Sequence, residues 1–184
     1  NGNVYWTNKT TIGWLPSDSD EARPVGVPPP EVSPTLSVGS GALLPGKYAV
    51  VLTYLDDRRE EGGATPVQII DLPNGGGITL NGLPMRAGWA FRVYITDPDG
   101  SKFHRSEELP AVFPSYTITQ TAQGGDCDTQ FLIPMPPGEF ITWLAGRLYT
   151  AKFGTLYFSE AMRPHLHNPA HGFIQFSGFI SFVE

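Results

Sequence analysis

Tyr48-Ala49-Val50-Val51-Leu52-Thr53-Tyr54-Leu55 follows the turn Leu44-Pro45-Gly46 and sets Tyr48, Val50, Leu52 and Tyr54 at alternate positions. Alternate residues of an extended chain share one face, so these four side chains line one side of a strand. Trp89-Ala90-Phe91-Arg92-Val93-Tyr94-Ile95 repeats the pattern, with Trp89, Phe91, Val93 and Ile95 expected inward and Arg92 and Tyr94 outward.

Around these two stretches, turn signals recur every 8–12 residues or so, the spacing of an all-β sandwich. A charged loop is expected over Asp56 to Gly63, strands over Ala64 to Leu72 and Ile78 to Leu80, and a flexible tip at Pro73 to Gly77. Asp97-Pro98-Asp99-Gly100 has β-turn chemistry, proline presetting φ and glycine accepting a positive φ. Ser101 to Glu108 is expected to return antiparallel, and Ser115 to Thr119 to form a last edge strand. Gly 21 and Pro 18 make up more than a fifth of the 184 residues, which disfavours helices.

Outside the sandwich one phrase occurs three times: Gly2-Asn3-Val4-Tyr5-Trp6-Thr7, Gly146-Arg147-Leu148-Tyr149-Thr150-Ala151 and Gly154-Thr155-Leu156-Tyr157-Phe158-Ser159. Each spells a strand leaving a tight turn. One copy precedes the middle and two follow it, so the middle reads as an insertion. Thr10 to Leu15 pairs with the first copy as a hairpin across Asn8-Lys9, and the two later copies form a hairpin across Lys152 to Thr155. Phe173 to Phe176 and Phe179 to Phe182 close the chain. Proline-rich Pro16 to Pro34 and Pro134 to Gly138 read as the two joints. The expected division is 1–26 as the first part of a flanking β unit with its linker, 27–136 as the sandwich, and 137–184 as the second part of the flanking unit.

The middle segment, with Pro28-Pro29-Pro30 at its start, Tyr48 to Tyr54 ahead of Glu61-Gly62, and Arg92-Val93-Tyr94 before Asp99-Gly100, resembles a fibronectin type III or related immunoglobulin-like module. The closing run Gly146 to Glu160 with Pro164 resembles the blade-like repeats of tailed-phage and prophage structural proteins, in which a propeller-like platform carries a fibronectin-like insertion. The fold class expected is therefore all-β, an immunoglobulin/fibronectin III-like β-sandwich with flanking propeller-blade-like hairpins. The resemblance implies a non-enzymatic, tail-associated role in virion assembly. Its partners would be other virion proteins, a homo-oligomeric ring among them, and its place the virion, made in the host bacterial cytoplasm.

Composition and motifs bound the chemistry. Net charge is −6 with the signs mixed, which argues against tracking nucleic-acid phosphates. Cys127 is the sole cysteine, so an internal disulfide or a cysteine zinc cage is excluded. No apolar run approaches the roughly 20 residues of a membrane helix, and the start at Asn1 reads as that of a piece of a longer chain. His165, His167 and His171, between Pro164 and Pro169, read as an exposed loop in preference to a metal site. Asp97/Asp99 and Asp126/Asp128 read as turn residues, and Asp18, Asp20 and Glu21 as a solvated linker. Glu60/Glu61 and Glu107/Glu108 are adjacent pairs, which a regular strand sends to opposite faces, so neither makes a glycosidase dyad. No nucleophile elbow and no phosphate-cradling loop occurs. No catalytic residue, metal or cofactor is expected.

Trp89 reads as core, and Trp143 as a seal at the joint. The candidate interface residues are Trp6, Trp14, Phe153, Phe173, Phe176 and Phe179, since assembly contacts rely on apolar patches and strand edges. A second reading, a carbohydrate-binding accessory module of an extracellular enzyme or adhesin, calls for a planar row of exposed aromatics. A third, a metal-dependent hydrolase, calls for a metal held by His165 and His167.

Overall fold

A computed structural model describes residues 2–181. These residues are all-β, with antiparallel strands and no helix. They fall into two compact units: one spans Pro28–Gln130, and the other is made by the two ends of the chain, up to Val27 and from Phe131 onward.

The flanking unit opens with β1 (Val4–Thr7), β2 (Ile12–Leu15) and β3 (Arg23–Pro24), a three-stranded sheet. The β1–β2 loop is organised by Asn8, whose Oδ1 accepts from the backbone N–H groups and hydroxyls of Thr10 and Thr11, a side-chain imitation of a backbone turn. Part of the expected linker is thus structured. Pro24 pairs with Gly13 on an edge strand, where its missing N–H is tolerated, and Val27 is buried.

The inserted unit is a two-sheet sandwich. Its strands are β4 (Thr35–Leu43), β5 (Gly46–Leu55), β6 (Gln68–Leu72), β7 (Gly76–Asn81), β8 (Ala90–Thr96), β9 (Phe103–Pro110) and β10 (Ser115–Ile118). One sheet has the order β10-β7-β4, the other β6-β5-β8-β9. Val50, Leu52 and Tyr54 lie opposite Ile95, Val93 and Phe91, and all six are buried. Ile78, Leu80 and Ile118 of the other sheet are equally buried. Trp89 lies just outside β8 and is half-buried, edge-on to Tyr54 at 5.4 Å, with the Arg86 guanidinium 3.5 Å over its ring. In the β8–β9 turn the positive φ falls on Asp99 (59°) and not on Gly100, while the Asp99 backbone and carboxylate tie the turn to Lys47.

Tyr94 corrects the inward/outward reading. It does face away from the sandwich core, yet it is buried there with Val51 and Phe103, and Ala49, Ala64 and Cys127 pack around them. The charged loop after β5 folds back over this second face: the N–H groups of Gly62 and Thr65 donate to Tyr54 O and Leu52 O.

The chain then returns to the flanking unit through β11 (Ile133–Pro134), β12 (Phe140–Leu144), β13 (Arg147–Lys152), β14 (Thr155–Phe158), β15 (Leu166–His167) and β16 (Phe173–Gln175). β11 pairs with β15, and β12-β13-β14-β16 form a four-stranded antiparallel meander. The sandwich therefore ends at Gln130, short of 136, because Met135 belongs to the flanking core with Ile12 and Leu148. Tyr5, Val25, Ile141 and Tyr157 pack on that cluster. The chain ends share one core but not one β-layer, since β1 keeps to its own sheet. Between the sheets, Thr7 Oγ1 donates to Gly138 O at 2.9 Å, and the Lys9 N–H donates to the same oxygen at 3.1 Å.

Candidate interaction surface

The six apolar candidates all lie in the flanking unit, in distinct settings. Trp6 and Trp14 point to opposite faces of the β1–β2 hairpin. Trp6 lies across Gly13, its cross-strand partner, so closely that a Cβ there would fall 2.3 Å from the indole ring. Trp14 is half-buried and stacks on Tyr5 with centroids 6.1 Å apart, and Tyr5 stacks in turn on Trp143 at 5.9 Å. Each such pair contributes about 0.5–1.5 kcal/mol beyond its burial. The three rings form one near-parallel pile, of which Trp143 is exposed.

Phe153, Phe176 and Phe179 are brought together. Phe153 occupies the β13–β14 turn with φ 55° and meets Phe179 edge-on at 6.4 Å. The Phe176 N–H donates to Gly154 O and the Ile180 N–H to Phe153 O, so the closing segment runs over the turn. Gly154 permits this: a Cβ there would lie 2.8 Å from Gly178 O and 2.9 Å from Phe176 O. Phe153 and Phe179 are nevertheless 60% and 85% exposed. Phe173 sits on β16 opposite Tyr157 and is also exposed. Phe182, expected in a strand with Phe179, lies outside the described residues.

One apolar surface escaped the sequence reading. Phe140, Ala151, Leu156 and Ile174 form a continuous row across the four-stranded sheet, on the face opposite Leu148. Tyr149 and Phe158 share that face, and the Arg147 guanidinium lies 5.5 Å from the Phe158 ring. Leu144 and Ile174 are exposed on it, while Phe140, Leu156 and Phe158 are half-buried. The alternation of Phe140 with Leu144, and of Leu156 with Phe158, is its signal in sequence.

The histidines depart from expectation. His165 and His167 are buried, and only His171 is exposed. His167 Nδ1 lies 3.1 Å from Phe158 O, its ring meets Tyr157 edge-on, and burial pushes its pKa below the ordinary 6.5. Among the described residues no group of three His, Cys, Asp or Glu side chains is placed to hold a metal.

The ionisable groups of the sandwich form a network beneath its charged loop. Glu61, with a side chain 16% exposed, accepts from Arg92 Nη1 at 2.5 Å, Thr53 Oγ1 at 2.6 Å and the Tyr94 hydroxyl at 2.7 Å. Arg92 Nε reaches Glu108 at 2.9 Å, and Arg59 Nη1 reaches the other Glu108 oxygen at 2.6 Å. Burial opposes ionisation of Glu108, but its bonds to Arg59 and Arg92 win and hold its carboxyl below the usual range. Burial, with Glu61 nearby, pushes the Cys127 thiol up to about 11, which makes it a poor nucleophile. Asp126 is held low by its bond to Lys102, with His104 3.1 Å from its other oxygen.

Compared with known proteins, the chain matches no family model and no curated protein at a significant level.

Proposed function

We propose that the chain is a non-enzymatic structural component of a tailed-phage or prophage virion, tail-associated and acting through protein–protein contacts. The observation that carries this reading is the shared core of Ile12, Met135 and Leu148, which closes one β unit from both chain ends around an inserted sandwich. That organisation agrees with a platform carrying a fibronectin III-like insertion. A four-stranded antiparallel meander is also the form of a propeller blade, and apolar residues on both faces of β12-β13-β14-β16 suit a sheet that packs between neighbours. Exposed Phe153 and Phe179 supply the kind of surface that assembly covers. The partners are other virion proteins, with a homo-oligomeric ring among the arrangements the surface allows.

The test is twofold. The gene is expected among capsid, portal and tail genes, and a position beside secreted glycosidases would overturn the reading. Sedimentation of the full chain is expected to show concentration-dependent association, reduced by Phe153→Ser with Phe179→Ser. A chain that stays monomeric alone and with the products of its neighbouring genes contradicts assembly through this surface.

A further inference from the structure

At the margin of the sandwich where β9 of one sheet approaches β10 of the other lies an open groove of about 610 Å³. Its wall includes four consecutive residues of β9, Arg105 to Glu108. A regular strand would send alternate members of this run to opposite faces. Here a bulge intervenes: Val93 opposes Glu107 and Tyr94 opposes Arg105, leaving Ser106 as the extra residue. Bulges re-aim side chains, and they occur often beside binding sites. Glu107 and Glu108, past the bulge, keep the regular register opposite Val93 and Arg92, and both border the groove because β9 is the edge strand of its sheet.

The wall is held from within. Glu108 binds Arg59 and Arg92 and stands 4.0 Å from Arg105, while Arg92 is fixed by the half-buried Glu61. The far wall is tied down as well: the Arg105 N–H donates to Gly125 O and the Gly124 N–H to Arg105 O, both at 2.9 Å. Gly124 is required there, because a Cβ would lie 2.5 Å from Arg105 O. Polar groups fixed in advance by a supporting layer cost less ordering when a ligand arrives.

From this wall we infer that the groove is a binding site for a neutral, polyhydroxylated ligand, a short oligosaccharide. Arg59 and Arg105 are matched by Glu107 and Glu108, so the groove has no net charge with which to select an anion or a cation. Ser106, Thr119, Gln120, Thr121 and Gln123 supply hydroxyls and amides that both donate and accept, as vicinal sugar hydroxyls do. Tyr116, half-buried, borders the groove as well. An extended peptide would seek a free ladder edge, but at Arg105 that edge of β9 is taken by Gly124 and Gly125. The groove belongs to the inserted unit, whereas the proposed assembly surface and the Trp14–Tyr5–Trp143 pile belong to the flanking unit.

The test titrates the full chain with hexaoses of glucose, mannose, galactose and N-acetylglucosamine, with inorganic phosphate and a sulfated oligosaccharide as anionic probes, by calorimetry and ¹⁵N shift mapping. At least one neutral hexaose is expected to bind, shifting residues 105–108 and 119–124, and Gln120→Ala or Gln123→Ala each weaken it by about tenfold, the loss of one good hydrogen bond. Phe179→Ser leaves this binding unchanged, so the groove and the assembly surface fail separately. Binding of the anionic probes alone, shifts centred on Trp143, or no response to any hexaose overturns the assignment.

Discussion

Ala145 carries φ 49° and Gly146 φ 76° in the two-residue β12–β13 loop. A two-residue hairpin with both φ values positive is a type I′ turn, in which Asn or Gly is favoured and an alanine is strained. Ala145→Asn is therefore expected to stabilise the protein by about 0.5–1 kcal/mol in urea unfolding, and a loss of stability would refute this account of the turn. His167 makes a pH prediction. Its folded pKa lies below its ordinary 6.5, so below that pH the unfolded chain binds a proton that the folded chain resists. Stability of the flanking unit is expected to fall as pH drops from 7 toward 5, read from tryptophan fluorescence in urea. His167→Gln should flatten that slope, and a midpoint that holds or rises in the parent protein would show that burial of this ring has been misjudged. The buried histidines were not legible because prolines 164 and 169 signal a loop, and whether a loop is covered depends on what lies above it.

At the scale of the element, β5 is the informative case. Tyr48, Val50, Leu52 and Tyr54 read as one apolar face, which the structure bears out, but Val51, Thr53 and Leu55 are buried as well. Alternation reports the face that every strand of a sandwich buries, whereas the second face is covered by a loop whose Asp, Arg and Glu content reads as solvated. Those charges are the means of covering, since Arg92 and Glu61 enter the interior as members of one network with Glu108. Arg92→Ala removes the Arg92 bonds of both half-buried Glu61 and Glu108 and is expected to cost about 3 kcal/mol. A cost under about 0.5 kcal/mol would place the pair among ordinary surface ion pairs. The bulge at Ser106 belongs to this scale too. Nothing in Arg105-Ser106-Glu107-Glu108 announces it, because a bulge is set by how two strands register against each other.

For the molecule as a whole, the insertion predicts unequal independence of its pieces. Residues 28–130 contain their own two sheets and their own core, so this segment alone is expected to fold cooperatively, with a β-type circular dichroism spectrum and a sigmoidal urea transition. Residues 131–184 alone lose Ile12, Tyr5 and Val25 from their core and are expected to show no such transition unless residues 1–27 are supplied. A cooperative fold in 131–184 by itself would contradict the shared core. The thrice-written phrase made this closure legible before any coordinates. The step from Gln130 to Pro136 was not, because its prolines look like a joint while Met135 supplies a core residue.

By itself the sequence determined the all-β class, the strands about Tyr48–Leu55 and Trp89–Ile95, the hairpins built on the Gly-x-aliphatic-Tyr phrase, and the split of one unit around another. These depend on local periodicity and turn chemistry, which neighbouring residues carry. Only the tertiary structure decided that Trp6 and Trp14 part company, that Phe153 and Phe179 meet, that His165 and His167 are covered, and that Glu107 and Glu108 border one groove. Each of those depends on which distant segment folds over which face, a property of the packed chain that has no local spelling.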